Sequence, residues 1–457
     1  MRILAINPPI TDFAAYDLWA WPLGLLYLIS YLERSGHSID LLDCRYRYHP
    51  LLLAEHPPKN KRSFSGPYFK TPFPKPEPYQ SQSRQYYLYG LPPEKIESYL
   101  TAIQTPDLII ISGLMTYWYP GIIYIAQRCK SLFPRTPIYL GGIYATLCPD
   151  HAASLPHIDA VFGREQMNDF FHLIHSGNFE DFINSMEDLT PAYHHYQRLP
   201  SLAWLTGIGC PFRCEVCASS QLNPHFTKFD TLKNAQNLQR LLKKKHTHHI
   251  AFYDDALLVR AEESILPWLE QINATAQGLA FHTPNGLHLR YISQEVARAL
   301  KKANFQTLRL SLESKLPAYQ QKMDQKVTNS EFETALERLR SAGFTPSQLE
   351  VYVMMGLPDQ HIREVAETIF YLAELNVKTV LAAYSPIPGT PLFTKHFESQ
   401  LDPLWHNQSV YHSLSGQDIS LMKKIRHLVS LINQGIDQGC NIWADPLLKK
   451  IIKVSII

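Results

Sequence analysis

The stretch Gly209-Cys210-Pro211-Phe212-Arg213-Cys214-Glu215-Val216-Cys217 decides how this chain is read. It holds three of the seven cysteines, at C-x3-C-x2-C spacing, while Cys44, Cys129, Cys148 and Cys440 stand alone. An odd and sparse cysteine count is not a disulfide framework. Three thiolates on one tight loop can hold three irons of a [4Fe–4S] cluster and leave the fourth iron open to a small molecule. A structural zinc site instead wants four ligands, usually in two separated pairs. No second C-x2-C occurs, so zinc would need His225 or the His248/His249 pair as its fourth ligand.

The surroundings of the loop set the fold. A strand at Leu202–Thr206 feeds it, and further strands follow at His249–Tyr253, Leu279–Thr283, Thr307–Leu312, Leu349–Met354 and Thr379–Tyr384. Helical stretches such as Ser293–Ala303 and Asn329–Ala342 lie between them. Six strand–helix units over residues 195–395 predict a partial (β/α)6 barrel, with reactive groups at the C-terminal strand ends. Residues 396–457 read as a helical C-terminal segment, amphipathic from Ile419 to Ile436, that covers one side of the barrel.

Upstream, residues 1–190 alternate strands at Ile3–Asn7, Ser38–Asp43, Leu108–Ser112, Ile138–Leu140 and Ala160–Phe162 with helices at Leu23–Ser35 and Ile122–Leu132. That alternation predicts an α/β, doubly wound, Rossmann-like sheet whose ligands sit beyond the C-terminal strand ends. Asn7, Ser112, Gly141, Gly142 and Gly163 all lie at such ends. Glycine is scarce, 20 of 457 residues. Its collection at strand ends suits either close approach of a bulky ligand or ordinary turns. Met115 and Thr116, with Tyr117 and Trp118, follow the Leu108–Ser112 strand and suit either a cofactor face or internal packing. Residues 45–84 interrupt the sheet with eight prolines and eight Lys/Arg against two acids. A segment of this composition is expected to be extended or loop-like, and its charge to be solvated, the alternative being a grip on an anionic substrate or an acidic partner.

Composition narrows the class further. With 45% hydrophobic and 18% charged residues the chain can bury sizeable cores. A net charge of +2 gives no whole-molecule field for nucleic acid. The apolar run Leu18–Leu32 contains Pro22 and Gly24 and is too short to span a bilayer. Asp12 and Asp17 precede it where an export signal would be basic, so a cytoplasmic protein with reduced thiols is expected.

A C-x3-C-x2-C loop after the first strand of a barrel resembles the radical S-adenosylmethionine (SAM) family. The upstream segments Asn7-Pro8-Pro9, Ser112 to Pro120, Gly141 to Thr146 and Gly163-Arg164-Glu165 resemble the vitamin-B12 (cobalamin)-binding domain that precedes many such barrels. Together the resemblance covers residues 1 to about 395. It implies Cys210, Cys214 and Cys217 as cluster ligands and SAM on the open iron. Phe212, Val216, Tyr253, Asp254, Glu313, Gly356 and Pro388 then stand near SAM, and Asn7, Ser112, Met115, Thr116, Gly141, Gly142 and Gly163 near cobalamin. Asp254 and Asp255 have a helix N-cap as their alternative role, and Glu313 an ion pair with Arg309 or Arg290. Ser311 and Glu313 are expected on one strand face by the two-residue period. His282 and Asn285 end the third strand and face either substrate or structure.

Two departures are visible. Val216 stands where the family usually has an aromatic residue near the adenine. The D-x-H-x-x-G motif, whose histidine ligates cobalt in many B12 enzymes, is missing, and Arg45 follows Asp43-Cys44 at that histidine's place.

The activity the resemblance implies is reductive cleavage of SAM to a 5′-deoxyadenosyl radical, hydrogen abstraction from an unactivated carbon, and methylation by cobalamin. A small-molecule or peptide substrate and a flavodoxin- or ferredoxin-type reductant go with it. The alternatives are a non-methylating radical reaction, such as ring formation or rearrangement, and a non-catalytic cobalamin- or metal-binding protein. An RNA-modifying methylthiotransferase would carry cluster cysteines in its N-terminal domain and a terminal RNA-binding module, and neither pattern is present.

Overall fold

A computed structural model describes residues 1–61, 63–275, 278–411, 419–440 and 446. They form two compact units. The first comprises residues 1–203, 233–247 and 400–407, and the second residues 204–232, 248–399 and 408–457.

The first unit is built on five parallel strands in the order Ala160–Phe162, Ile138–Gly142, Leu108–Gly113, Arg2–Asn7, Ser38–Asp43. Ile3 to Ile6 and Leu108 to Ile111 are almost wholly buried, as expected of parallel strands covered on both faces. Numbered along the chain, the order is 2-1-3-4-5, the flavodoxin-like doubly wound arrangement. The winding reverses between Arg2–Asn7 and Leu108–Gly113, so the crevice for a ligand opens beyond Asn7 and Gly113. The helix Leu23–Arg34 covers one face through seven buried apolar residues, and Gly36 (φ 91°) turns the chain out of it.

Residues 45–84 are not the solvated loop expected. Lys70–Pro72 joins Tyr87–Tyr89 and Ile10–Asp12 in a three-stranded antiparallel sheet, and Tyr68 and Tyr79 are buried. Arg47 is buried too; its guanidinium donates to the carbonyls of Phe64 (2.7 Å) and Lys59 (3.0 Å) and pairs with Asp17 (3.3 Å). The prolines fix turns, while the interleaved tyrosines and this arginine satisfy and cover the backbone.

A sheet of six strands runs in chain order Ser201–Trp204, His249–Phe252, Ala280–Leu287, Phe305–Glu313, Leu349–Met355, Lys378–Ala383, and its last five strands belong to the second unit. The registers from His249 onward are all parallel. Sequential parallel strands separated by helices are the open-barrel arrangement. The helices start where side chains can cap them: Ser293 accepts from Val296 N–H, and Thr328 with Glu331 forms a capping box for Asn329–Ser341.

The helix Ile419–Asp437 lies against the last strand. The Asn433 amide donates to the Thr379 carbonyl (2.8 Å) and accepts from Thr379 N–H (3.0 Å). Lys378 pairs with Asp437 (2.9 Å). The tail thereby satisfies an edge strand that would otherwise expose its ladder groups. Its remaining residues, 412–418, 441–445 and 447–457, lie outside those described. No described helix is long and apolar enough to cross a membrane.

Candidate metal centre

Immediately after the first barrel strand, Gly207–Ile208 pairs antiparallel with Thr227–Lys228, and the cysteine loop is the excursion between them. Gly209 turns the chain into the loop with φ 76°, and a Cβ there would meet the His225 carbonyl at 2.6 Å. Only glycine fits this position without displacing backbone. Cys210 and Cys214 are half-buried and Cys217 is exposed.

The loop is braced on several sides. Arg213 N–H donates to Asp324 Oδ2 (2.8 Å), the Cys214 thiol to the Met323 carbonyl (3.3 Å), and Glu215 N–H to the Lys322 carbonyl (3.0 Å). Leu392 N–H donates to the Glu215 carbonyl (3.1 Å) and Ser219 N–H to the Cys217 sulfur (3.4 Å). Phe212 stacks on His288 with centroids 4.8 Å apart, and His288 Nε2 stands 4.0 Å from Cys210 Sγ. Cys214 and Val216 pack against the buried cluster of Tyr319, Met323, Leu357, Tyr384, Leu392 and Tyr411.

Burial pushes the thiols of Cys210 and Cys214 up to about 11 and raises that of Cys217, and the cysteines add to one another's shift. Three soft donors that resist becoming anions together are a set for a cationic centre that displaces their protons. Ligand atoms that all lie within 4.8 Å of one another occur among the described residues at Glu33, His194 and His195, and not at the cysteines. A single zinc ion with bonds of ~2.3 Å would draw its sulfurs to within about 4.6 Å. Three cysteines on one loop match the three protein ligands of a [4Fe–4S] cluster whose fourth iron is open.

The other barrel residues singled out in the sequence are placed as follows. Asp254 is buried, and both its oxygens are engaged: Thr206 N–H donates at 3.0 and 3.1 Å, Thr206 Oγ1 at 2.6 Å, and Lys228 Nζ stands at 3.8 Å. Asp255 accepts from the Ser219 hydroxyl. Neither aspartate caps a helix, since the next one begins at Ile265. The Tyr253 backbone is tied to the Trp204 carbonyl (3.0 Å) and to the Asn285 amide (3.0 Å).

Glu313 pairs with Lys326 (3.2 Å) and not with Arg309 or Arg290, which bind Glu350 and Glu331. The two-residue period does not run through from Ser311 to Glu313. The register with Leu349–Met355 shifts between them and Glu313 takes φ 65°, so a bulge re-aims its side chain. Gly356 (φ 88°) donates its N–H to Gln360 Oε1 (2.8 Å). Pro388 is half-buried, and the Gly389 after it (φ 77°) lies so close to Gln221 that a Cβ would meet Oε1 at 2.3 Å. His282 is fully buried between His249 (3.0 Å) and Thr307 (3.3 Å), a structural position.

In the first unit, Asn7 belongs to a closed polar network at the winding reversal. Its amide donates to Asp43 Oδ1 (2.6 Å) and accepts from the Arg45 guanidinium, and Tyr196 OH donates to Asp43 Oδ2 (2.7 Å). Arg45 also lies over the Trp118 ring, 5.6 Å from its centroid. The position that would offer an imidazole to cobalt therefore offers a half-buried cation. Thr116 Oγ1 bonds His406 Nδ1 (2.9 Å), Trp118 Nε1 donates to Asp12 (2.9 Å), and Tyr117 is buried, so all three residues between Met115 and Tyr119 pack internally. Met115 does not: it is 43% exposed, an apolar side chain left uncovered at the crevice. Ser112 and Gly141 are half-buried and Gly142 is exposed beside it. Gly142 (φ 92°) and Gly163 both meet neighbouring backbone closely, at 2.5 Å from Gly113 O and 2.9 Å from Ala145 O for an added Cβ. The exposed methionine at these strand ends is an apolar surface that suits a flat, largely apolar group such as a corrin.

Sequence reasoning missed Lys326, His288 and the 322–326 strap. None lies in a motif, and each reaches the cysteine loop only through folding.

Comparison with known proteins agrees with this architecture. Residues 204–372 match the family model of the Radical SAM superfamily, so this part of the chain is a radical SAM domain. An uncharacterized methyltransferase of Pyrococcus horikoshii is 21% identical over 322 residues, covering 63% of this chain and 69% of that protein. Cytidylyl-2-hydroxyethylphosphonate methyltransferase of Streptomyces wedmorensis is 24% identical over 184 residues, 39% of this chain and 29% of that one. Among solved structures, the radical SAM methyltransferase TsrM of Kitasatospora setae, with tryptophan and a SAM analogue bound, superposes with a TM-score of 0.61. It is 13% identical, and the match covers 86% of this chain and 75% of that one. The cobalamin-dependent SAM radical enzyme OxsB, with aqua-cobalamin and SAM bound, gives 0.55 at 12% identity over 91% and 55%. At these identities the likeness is one of fold, and it spans both α/β units.

Proposed function

We propose that this protein is a cobalamin-dependent radical SAM methyltransferase of the cytoplasm, acting on an unactivated carbon of a small molecule. The observation that carries this reading is the braced three-cysteine loop at the strand ends of a sequential parallel sheet. Cys210, Cys214 and Cys217 would hold a [4Fe–4S] cluster. Ser112, Met115, Gly141, Gly142 and Gly163, at the strand ends of the first unit, would hold a corrin, with no axial imidazole supplied from position 45. When bound, these groups supply one-electron SAM cleavage and a transferable methyl group. The chain's own part is to orient and to exclude water. Gly209 and the 322–326 strap fix the loop, Phe212 and His288 wall one side of it, and the Tyr319–Tyr411 cluster keeps another side dry. A flavodoxin- or ferredoxin-type protein would deliver the electron.

The methyltransferase relatives and the TsrM and OxsB folds support methyl transfer. A second reading, non-methylating radical chemistry above a first unit that only shapes the site, is favoured by Arg45 and by the closed network around Asn7.

Anaerobic reconstitution followed by a SAM-cleavage assay tests the first claim. Cys214→Ala must lose the cluster spectrum and cleavage, and a variant that keeps both refutes the assignment. Purification with hydroxocobalamin tests the second. A corrin spectrum retained after desalting supports methyl transfer, and its absence selects the second reading.

A further inference from the structure

The strap Lys322–Lys326 does more than brace the loop. Two of its residues, Asp324 (φ 56°) and Gln325 (φ 46°), hold left-handed backbone, which a non-glycine residue adopts at a cost. The Arg290 guanidinium fixes the turn by donating to the Gln325 carbonyl (2.6 Å). The turn delivers Lys326 to Glu313, itself left-handed (φ 65°) at the end of its strand, with Nζ and Oε1 3.2 Å apart. The two side chains are only 11% and 12% exposed. Three strained residues thus converge on one buried ion pair beside the cysteine loop. Such a pair is a poor source of stability, because desolvation cancels much of its attraction.

The strap that ends in Lys326 is tied to the cysteine loop at three points: Asp324 accepts from Arg213 N–H (2.8 Å), the Met323 carbonyl from the Cys214 thiol (3.3 Å) and the Lys322 carbonyl from Glu215 N–H (3.0 Å), so the charges of the pair stand beside the loop that carries the sulfurs and act on them with opposite sign.

We infer that Lys326 and Glu313 form a charge couple that sets how readily the metal centre on Cys210, Cys214 and Cys217 accepts an electron. The inference rests on the cluster reading above. Reduction adds one negative charge beside a buried cation, so Lys326 stabilises the reduced state and Glu313 moderates that effect. Both act through the cysteine sulfurs, as tuning residues.

The test is an EPR-monitored redox titration of the reconstituted full chain without SAM, with iron and sulfide assayed in each protein. Lys326→Met is expected to move the midpoint potential more negative, Glu313→Gln more positive, and Lys326→Arg to leave it within error of wild type. Shifts of the same sign in Lys326→Met and Glu313→Gln, or no shift with a full cluster, overturn the inference. A merely structural pair would give that second result. If Lys326→Met fails to hold iron, Glu313→Gln and Lys326→Arg decide. A wild-type chain that takes up no cluster overturns the cluster reading itself, and the inference with it.

Discussion

Replacing Asp254 by alanine separates two roles for a buried, multiply hydrogen-bonded acid of the second unit. If it is a clamp, it ties Thr206, at the exit of the first strand, and Lys228, in the hairpin that frames the cysteine loop. Alanine removes three donor contacts and leaves Lys228, whose side chain is 9% exposed, with the Leu257 carbonyl (3.0 Å) as its remaining acceptor. Breaking a buried ion pair from one side costs about 3–5 kcal/mol. For a unit of roughly 150–250 residues that is a fall in Tm of about 6–20 °C, at 2–4 °C per kcal/mol. Scanning calorimetry of the metal-free chain reads it directly. Asp254→Asn keeps the shape and one acceptor for Thr206, so its loss is expected to be smaller. A Tm within about 2 °C of wild type, together with weakened SAM binding by the reconstituted protein, would refute the clamp and make Asp254 a SAM contact.

Three further outcomes follow from the same structure. Gly209→Ala forces a side chain into left-handed backbone and against the His225 carbonyl, so it should cost at least 1–2 kcal/mol and lower iron uptake on reconstitution; unchanged iron content would contradict the turn's role. Met115→Glu should leave the Tm unchanged, because the side chain is exposed, yet reduce the corrin retained after desalting; unchanged retention would remove Met115 from the corrin face. For Glu33, burial works against ionisation, but the hydrogen bonds and charges of His194 and His195 outweigh it and pull the carboxyl down to about 2. Its folded value lies below its unfolded one, so the stability it adds is present above about pH 4.5 and is lost as pH falls toward 2. The Tm gap between wild type and Glu33→Gln should therefore close over that range, and a gap that persists at pH 2 would exclude this linkage.

Much of the architecture was legible before folding because its signals are local. The apolar runs Ile3–Ile6 and Leu108–Ile111, and the glycines that end their neighbours, read directly as buried parallel strands. Strand ends were less legible. Ala280–Leu287 runs past the expected Thr283, through two register shifts: the Asn285 amide donates to the Tyr253 carbonyl (3.0 Å), and Gly286 lies so close to Ser311 that a side chain there would clash. The insert was misjudged on composition, since prolines say where a chain turns but not whether tyrosines cover it.

By itself the sequence determined the class of chemistry, since three thiols within one loop and a strand before them are contiguous facts that no tertiary contact can rearrange. It also determined the two successive α/β patterns. The tertiary structure alone decided what each acid does. Asp254 ties Thr206 to Lys228, Asp43 is a buried acid shared by Asn7, Arg45 and Tyr196, and Glu313 is the partner of Lys326 thirteen residues away rather than of an arginine on its own strand. The reason is physical: a buried charge is settled by whichever groups folding brings within a few ångströms, and sequence spacing does not encode them across a bulge and a left-handed turn.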